Sequence, residues 1–437
     1  MTGSVSQQHT SLRSFFVVWA GQLVSITGTT MSAFGLQLFV YSETGSVTRL
    51  TFVALAATIP AVVLAPVAGS VADRLNRRLV MLASDTLGGI ATLGLFWLHV
   101  TGNLQIWHIY VAALAGSVAN TFQEPAWQAS IPVLVPKAQL ARANGLVQLN
   151  QGVSIVLAPA MAGALLATFG LGGVLIADAV SFLAGVGTLA AVRFPPFRAR
   201  DTGARSVRDD ASFAWRYLRE RPGLFGLLWI YSGVNFMLSM TNVLIIPLIL
   251  SFSTEAAAGT ILSLAGFGAV VGSVAVGALG VPKRLLPTIM GGIFLTGIIL
   301  VLGGSRASLV VIGTATVLLL LFNPIVNSAS QVIWQTKVEE GVQGRVFSLR
   351  RMISQAVSPM AILLAGPLAD HAFEPLLAPD GGLAGSVGVL IGVGPGRGIG
   401  LLYVVAGLGT MVLAVVGWSR RHIRNIETEL PDLAGRD

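Results

Sequence analysis

The chain has 437 residues, 54% of them hydrophobic and 11% charged, with a mean hydropathy of +0.78; a soluble domain carries about 25% charge, so this composition belongs in a bilayer. There is no cysteine, which excludes disulfides and thiolate metal sites, and the five histidines, His9, His108, His371 and His422 among them, show no ligand spacing. The net charge is +8 and the isoelectric point near 10.5, but the arginines fall between apolar segments and not along one face, which points to membrane topology and away from nucleic acid.

A spanning helix needs roughly 20 apolar residues. The sequence predicts twelve, at 15–40, 50–72, 79–100, 106–131, 144–169, 172–192, 224–250, 256–281, 285–302, 309–332, 347–369 and 399–418. The first is too long for a cleavable signal peptide and lacks a small-residue cleavage site. Span 1 carries Gln22, Ser25, Thr29 and Ser32 on one helical stripe. Between spans 2 and 3 lies a charged decapeptide with Gly69, Asp73, Arg74, Arg77 and Arg78, and Asp85 follows one to two turns into span 3. Span 4 carries a stripe of Ser117, Asn120, Glu124 and Gln128; Pro159 and Gly163 interrupt span 5; Asp178 lies near the outer end of span 6.

Residues 194–222 form a charged linker between an N-terminal unit, 1–193, and a C-terminal unit, 223–437. Within the linker, Ser206 and Asp209 have the spacing of a capping box. Val207, Ala211, Ala214, Trp215 and Leu218 share one face of an amphipathic helix expected to lie on the inner membrane surface. Beyond it, span 7 repeats the stripe of span 1 with Ser232, Asn235, Ser239 and Asn242, and span 10 answers span 4 with Asn323, Asn327 and Gln331. Pro359 in span 11 matches Pro159 in span 5. With the N-terminus inside, all basic residues except Arg49, Arg306 and Arg397 fall on the cytoplasmic side, so both termini are expected there. The expected fold is all-α: a polytopic membrane protein of two pseudo-symmetric six-helix bundles, multi-pass in a bacterial inner membrane.

The decapeptide resembles the signature loop of the major facilitator superfamily of transporters, with Asn76 where that family usually has Gly. Asn tolerates left-handed backbone better than most residues. Trp19-Ala-Gly21-Gln22, Ala177-Asp178…Ser181-Phe182, Arg216-Tyr217…Arg221-Pro222 and Gly344-Arg345…Gly366-Pro-Leu-Ala-Asp370 are similar to the drug and siderophore exporter branch, which includes enterobactin exporters and macrolide efflux proteins. The resemblance implies that spans 1, 4, 7 and 10 line a cavity, with Gln22, Ser25, Thr29, Asn120, Gln128, Asn235, Asn242, Asn323, Asn327 and Gln331 on its wall. Read from spacing alone, the same residues also serve as helix-packing glue. Trp19, Trp127, Trp334 and Phe322 beside the stripes suit a bulky amphipathic solute.

The resemblance further implies a cytoplasmic gate at Gly69, Asp73, Arg74, Arg77, Arg78 and Asp85, in which Asp73 meets the start of span 11. It also implies helix bends at Pro159, Gly163 and Pro359. A carboxyl shielded from water holds its charge at a cost, which makes Glu124 and Asp178 candidate proton carriers. Two departures stand against the family pattern: no Arg in span 4, and Ala158 and Ala162 at two glycine positions of span 5. No phosphate-binding loop, nucleophile–base pair or metal set occurs, so no enzyme activity and no cofactor is expected. The expected activity is secondary export of a hydrophobic or amphipathic small molecule by a monomer, driven by a proton gradient and in contact with lipid. An importer of the same fold, or a transport-inactive receptor, stays open.

Overall fold

The computed structural model describes residues 12–65, 67–68, 71, 75–136, 139–192, 194, 207–339 and 342–429. Every regular element among them is helical. The main helices are α1 (Leu12–Thr44), α2 (Val47–Val63), α3 (Arg77–Val100), α4 (Ile106–Leu134), α5 (Leu140–Ala191), α6 (Val207–Arg219), α7 (Pro222–Leu250), α8 (Glu255–Leu279), α9 (Leu285–Ser305), α10 (Leu309–Lys337), α11 (Gln343–Pro367) and α12 (Arg397–Ser419). Nine segments among the described residues are long and apolar enough to cross a membrane. Helix α5 is 52 residues long, which at 1.5 Å per residue would be about 78 Å if straight. It turns at Gly170, the residue with non-helical backbone (φ 63°, ψ −166°). That left-handed φ is open to glycine at little cost. The expected bend at Pro159 lies inside this helix, and Pro359 lies inside α11.

Local chemistry sets the helix starts. Thr254 accepts a hydrogen bond from the Ala257 amide to open α8, and Ser308 does the same for Val311 in α10. Asn76 opens α3: its backbone is extended (φ −64°) and its side chain accepts from the Arg78 amide. The left-handed tolerance expected of Asn76 is therefore not what suits it to the site; its capping oxygen is.

The chain divides into two compact units, Met1–Phe39 with Ala56–Thr202, and Val40–Leu55 with Gly203–Asp437. In the first unit, α1 runs against the second arm of α5. A Cβ added at Gly21, Gly28 or Gly35 would run into Thr188, Ser181 or Val174, so these glycines set how close the two helices come. Phe15, Met81, Trp127, Ile131 and Leu189 form the inner apolar cluster. The arginines that open α3 tie it to neighbouring helix ends: Arg77 donates to the Ala129 carbonyl (2.7 Å), and Arg78 to those of Leu189 (2.9 Å) and Ala190 (2.8 Å) in the last turn of α5.

In the second unit, Trp334, Leu224, Leu228, Met290, Ile333 and Val346 centre the core. Helix α6 joins it through Ala214, Tyr217 and Leu218, and Arg345 stacks on Phe213 at 3.9 Å. The apolar face expected against lipid is thus packed on protein, where burial of Tyr217 extends the predicted stripe; Ser206 lies outside the described residues. Helices α9 and α12 meet backbone to backbone where Gly297 faces Gly407 and Gly304 faces Gly400. The start of α2 also belongs here. The Asp370 carboxylate, in the π-helical turn Leu368–Phe373 that continues α11, accepts from the Val47 amide (3.1 Å), the Thr48 amide (2.8 Å) and the Ser46 hydroxyl (2.9 Å). The glycine-rich stretch 380–400 is laced by backbone bonds from Leu383 to Leu376 and from Gly394 to Leu377. Glu374 closes it by accepting from the amides of Gly396 and Ile399 at the start of α12.

Candidate functional site

The polar stripe of α1 lies beside its glycine-marked face; α5 takes the glycine face, and Gln22 and Ser25 reach α3 and α4. The result is a cavity of about 190 Å³ inside the first unit. Of the eight residues on the two stripes of this half, Gln22, Ser25, Thr29, Asn120, Glu124 and Gln128 line it and Ser32 and Ser117 do not. Trp127 and Phe182 supply aromatic wall, and Asn150 and Gln151 come from the first arm of α5. No lysine, arginine or histidine is among the lining residues. Glu124 is exposed to the cavity and accepts from Gln128 one turn on (3.0 Å).

Behind that wall lies Asp85, fully buried. Gln123 Nε2 donates to its Oδ1 at 2.7 Å, Ser25 Oγ to the same oxygen at 3.3 Å, and Gln22 Nε2 to Oδ2 at 3.4 Å. Gln123 also donates to Gln22 Oε1 at 2.9 Å. Sequence grouped Asp85 with the arginines of the loop; the structure brings it to the α1 and α4 stripes instead, because the α3 face it shares with Met81 and Ser84 is the buried one. Gly69, Asp73 and Arg74 lie outside the described residues, so of that cluster Arg77 and Arg78 are seen, holding helix ends. Asp178 is buried on the second arm of α5, accepting from Thr92 (2.9 Å) and Ser181 (3.4 Å), with Gly28 against it.

The second unit's stripe residues are spread more widely. Asn235 Nδ2 reaches the Ser354 carbonyl (3.4 Å), and Asn327 donates to Asn323 (2.7 Å). Asn242 is exposed. Gln331 accepts from Arg350 (3.1 Å), whose guanidinium also reaches Ser330 (3.4 Å) and stacks over Trp334 at 4.7 Å. Trp19, expected on the wall, instead donates its indole N–H to the Leu146 carbonyl.

Sequence reasoning passed over Gln123, Asn150 and Arg350. Gln123 had a signal: it follows Asn120 by three residues, on the edge of the span 4 stripe, and faces the same direction as Gln22. Asn150 and Ser154 are likewise one turn apart in span 5, and Ser154 meets Thr27 at 2.9 Å. Arg350 had none, since a basic residue after a loop reads as topology.

Residues 18–362 match the model of the Major Facilitator Superfamily. The chain belongs to that family of transporters. It is a multi-pass bacterial cell-membrane protein. It is similar to macrolide efflux protein A of Streptococcus pyogenes, 26% identical over 371 residues covering 82% of this chain and 89% of that one. Multidrug efflux pump Tap of Mycobacterium tuberculosis is 26% identical over 374 residues, covering 82% and 87%. Among solved structures, the nucleoside transporter NupG shares the fold with a TM-score of 0.73 at 13% identity, over 93% of this chain and 98% of that one. A bacterial homologue of the iron transporter ferroportin, in an inward-facing state, has a TM-score of 0.68 at 17% identity, over 94% and 99%.

Proposed function

We propose that this superfamily member is a secondary active exporter of a hydrophobic or amphipathic small molecule, working by alternating access as a proton antiporter. The observation that carries the reading is the wall of the first-unit cavity. It joins amides and hydroxyls to the rings of Trp127 and Phe182 and holds one solvent-facing carboxylate, Glu124, without a fixed cation. Such a wall suits an amphipathic solute with a few polar groups better than a sugar or an inorganic ion. The efflux proteins among the relatives favour outward over inward transport. Twelve spans follow if the two arms of α5 each cross once, with both termini inside by the placement of basic residues. The two units then act as the rocking bundles, with the gate loop and Asp73 as the cytoplasmic latch. Asn235, Asn242, Asn323, Asn327 and Gln331 serve as the second unit's own solute-contacting residues. On this reading Glu124 exchanges the coupling proton with the cavity, and Asp178 is the second carrier.

The test is expression in a host stripped of its own pumps. Export predicts raised resistance to at least one amphipathic antibiotic, and everted vesicles that lose their proton gradient when that compound is added. Unchanged or lowered resistance across a broad panel overturns export. Proton-driven transport that survives intact in Glu124→Gln removes that residue from the carrier role.

A further inference from the structure

Asp85 touches none of the cavity, yet each side chain bonded to it does. Gln22, Ser25 and Gln123 all line the cavity while their donor atoms point back at the carboxylate. Among the described residues, the groups facing Asp85 are neutral: Gln22 and Ser25 from α1, Gln123 from α4, and Gly185 from α5, where an added Cβ would lie 3.2 Å from Oδ2. The nearest acids along those elements are Glu124, which is bonded to Gln128, and Asp178, which is bonded to Thr92. Among the described residues, no cation is bonded to any of the three.

The two amides form an ordered chain. Gln123 Nε2 spends both its hydrogens inward, one on Asp85 and one on Gln22 Oε1. Gln22 Nε2 points at the carboxylate as well. The Gln123 carbonyl oxygen is then left without a partner among the described residues, on a residue of the cavity wall. An ionised carboxylate accepts only, so it forces this polarity; a protonated one carries an O–H that must find an acceptor, and of those within reach, the amide oxygens of Gln22 and Gln123 and the hydroxyl of Ser25, the Gln123 amide lies nearest, at 2.7 Å against 3.3 Å for Ser25. Turning both amides about their terminal bonds satisfies that O–H: the Gln123 oxygen then accepts from Asp85 and from Gln22 Nε2, and the Gln123 N–H₂ faces the cavity in place of its C=O. The proton is taken from cavity water and returned to it, and no covalent bond changes.

We propose that Asp85, Gln22 and Gln123 form a proton-set polarity switch on the cavity wall. With Asp85 ionised, Gln123 offers the cavity an acceptor, which takes a solute group bearing N–H or O–H. With Asp85 protonated, the wall offers a donor and that group loses its partner. Solute donor and proton therefore compete without touching the same atom, which is the linkage an antiporter needs. This rests on the antiport reading for its use, although the switch itself is observable without any transported compound.

The experiment is infrared difference spectroscopy on the full-length protein in lipid, titrated with protons alone in H₂O and D₂O. The expected result is a carboxyl C=O band that grows on acidification together with a shift of a glutamine amide band. Asp85→Asn should remove the amide shift and the Asp85 part of the carboxyl band, leaving the parts due to Glu124 and Asp178. Gln123→Leu should keep the Asp85 part of the band and lose the amide shift, and Glu124→Gln should keep the Asp85 part and the amide shift. An undiminished carboxyl band and an amide shift that persists in Asp85→Asn overturn the proposal, as does an amide band that never moves in the parent protein. Gln123→Leu also covers the case in which Asp85→Asn does not fold. A probe pair of equal charge tests the acceptor: benzylammonium should shift the glutamine band and benzyltrimethylammonium, which has no N–H, should not. Equal response to the two overturns the acceptor assignment. If the switch titrates as described but vesicles move no protons during export, the antiport reading falls and the switch stands.

Discussion

The two units use their shielded carboxylates differently. In the first, Asp85 and Asp178 sit in the middle of helices and accept from side-chain amides and hydroxyls of neighbouring helices. In the second, Asp370 and Glu374 accept from backbone amides where α2 and α12 begin. A backbone N–H at a helix start is fixed in direction and carries the positive end of the helix dipole, so it wants a permanent anion. A glutamine amide or serine hydroxyl can turn. Acids of the second kind hold the chain in place; acids of the first kind sit among partners that can respond to a proton.

This contrast can be broken at four points. Glu374→Ala removes a carboxylate from two backbone amides, and at 1.5–3 kcal/mol for each hydrogen bond to a charge the loss is about 3 kcal/mol, read by unfolding in detergent. Asp370→Ala uncaps α2 and should cost about 2 kcal/mol, the upper end for a lost cap, because a hydroxyl is orphaned as well. Asp85→Asn should cost below about 1 kcal/mol, since the isosteric amide still offers Gln123 an acceptor; breaking a buried ion pair costs about 3–5 kcal/mol, so a loss of that size would reveal a cation partner and end the contrast. Ser25→Ala, which removes one 3.3 Å bond, should cost about 0.5 kcal/mol. If Asp85→Asn proved costlier than Glu374→Ala, the division into fixed and responsive acids would be wrong.

Much of this was legible in sequence for a simple reason: inside a bilayer the polar residues have few places to go. Helical spacing put Gln22–Ser25–Thr29 on one face of span 1 and Asn120–Glu124–Gln128 on one face of span 4; that the two faces line a cavity came from the family resemblance. The turn between the fifth and sixth predicted spans was readable from the apolar lengths, though not that Gly170 alone makes it. Asp85 was misgrouped because nearness in sequence to Arg77 and Arg78 says nothing about which side of α3 the side chain leaves; its seat is set by packing with α1 and α4. The caps made by Asp370 and Glu374 were invisible for a related reason. Asp370 meets its partners 322 to 324 residues away, and backbone donors leave no mark in a sequence.

The glycines of α1 recur every seven residues, at 21, 28 and 35, and their partners Thr188, Ser181 and Val174 recede by seven. The pairs Gly297–Gly407 and Gly304–Gly400 keep the same step between α9 and α12. A repeat of seven falls short of two full turns of an α-helix by about 20°, so a contact line that keeps this step winds around both helices in a left-handed sense. Each unit is thereby built on one coiled pair with a glycine seam. Inserting one residue into α1 would swing every later seam position by about 100° and set larger side chains where the glycines now leave room for Thr188, Ser181 and Val174. The chain can lengthen here only by insertions that complete nearly whole turns, as seven residues do.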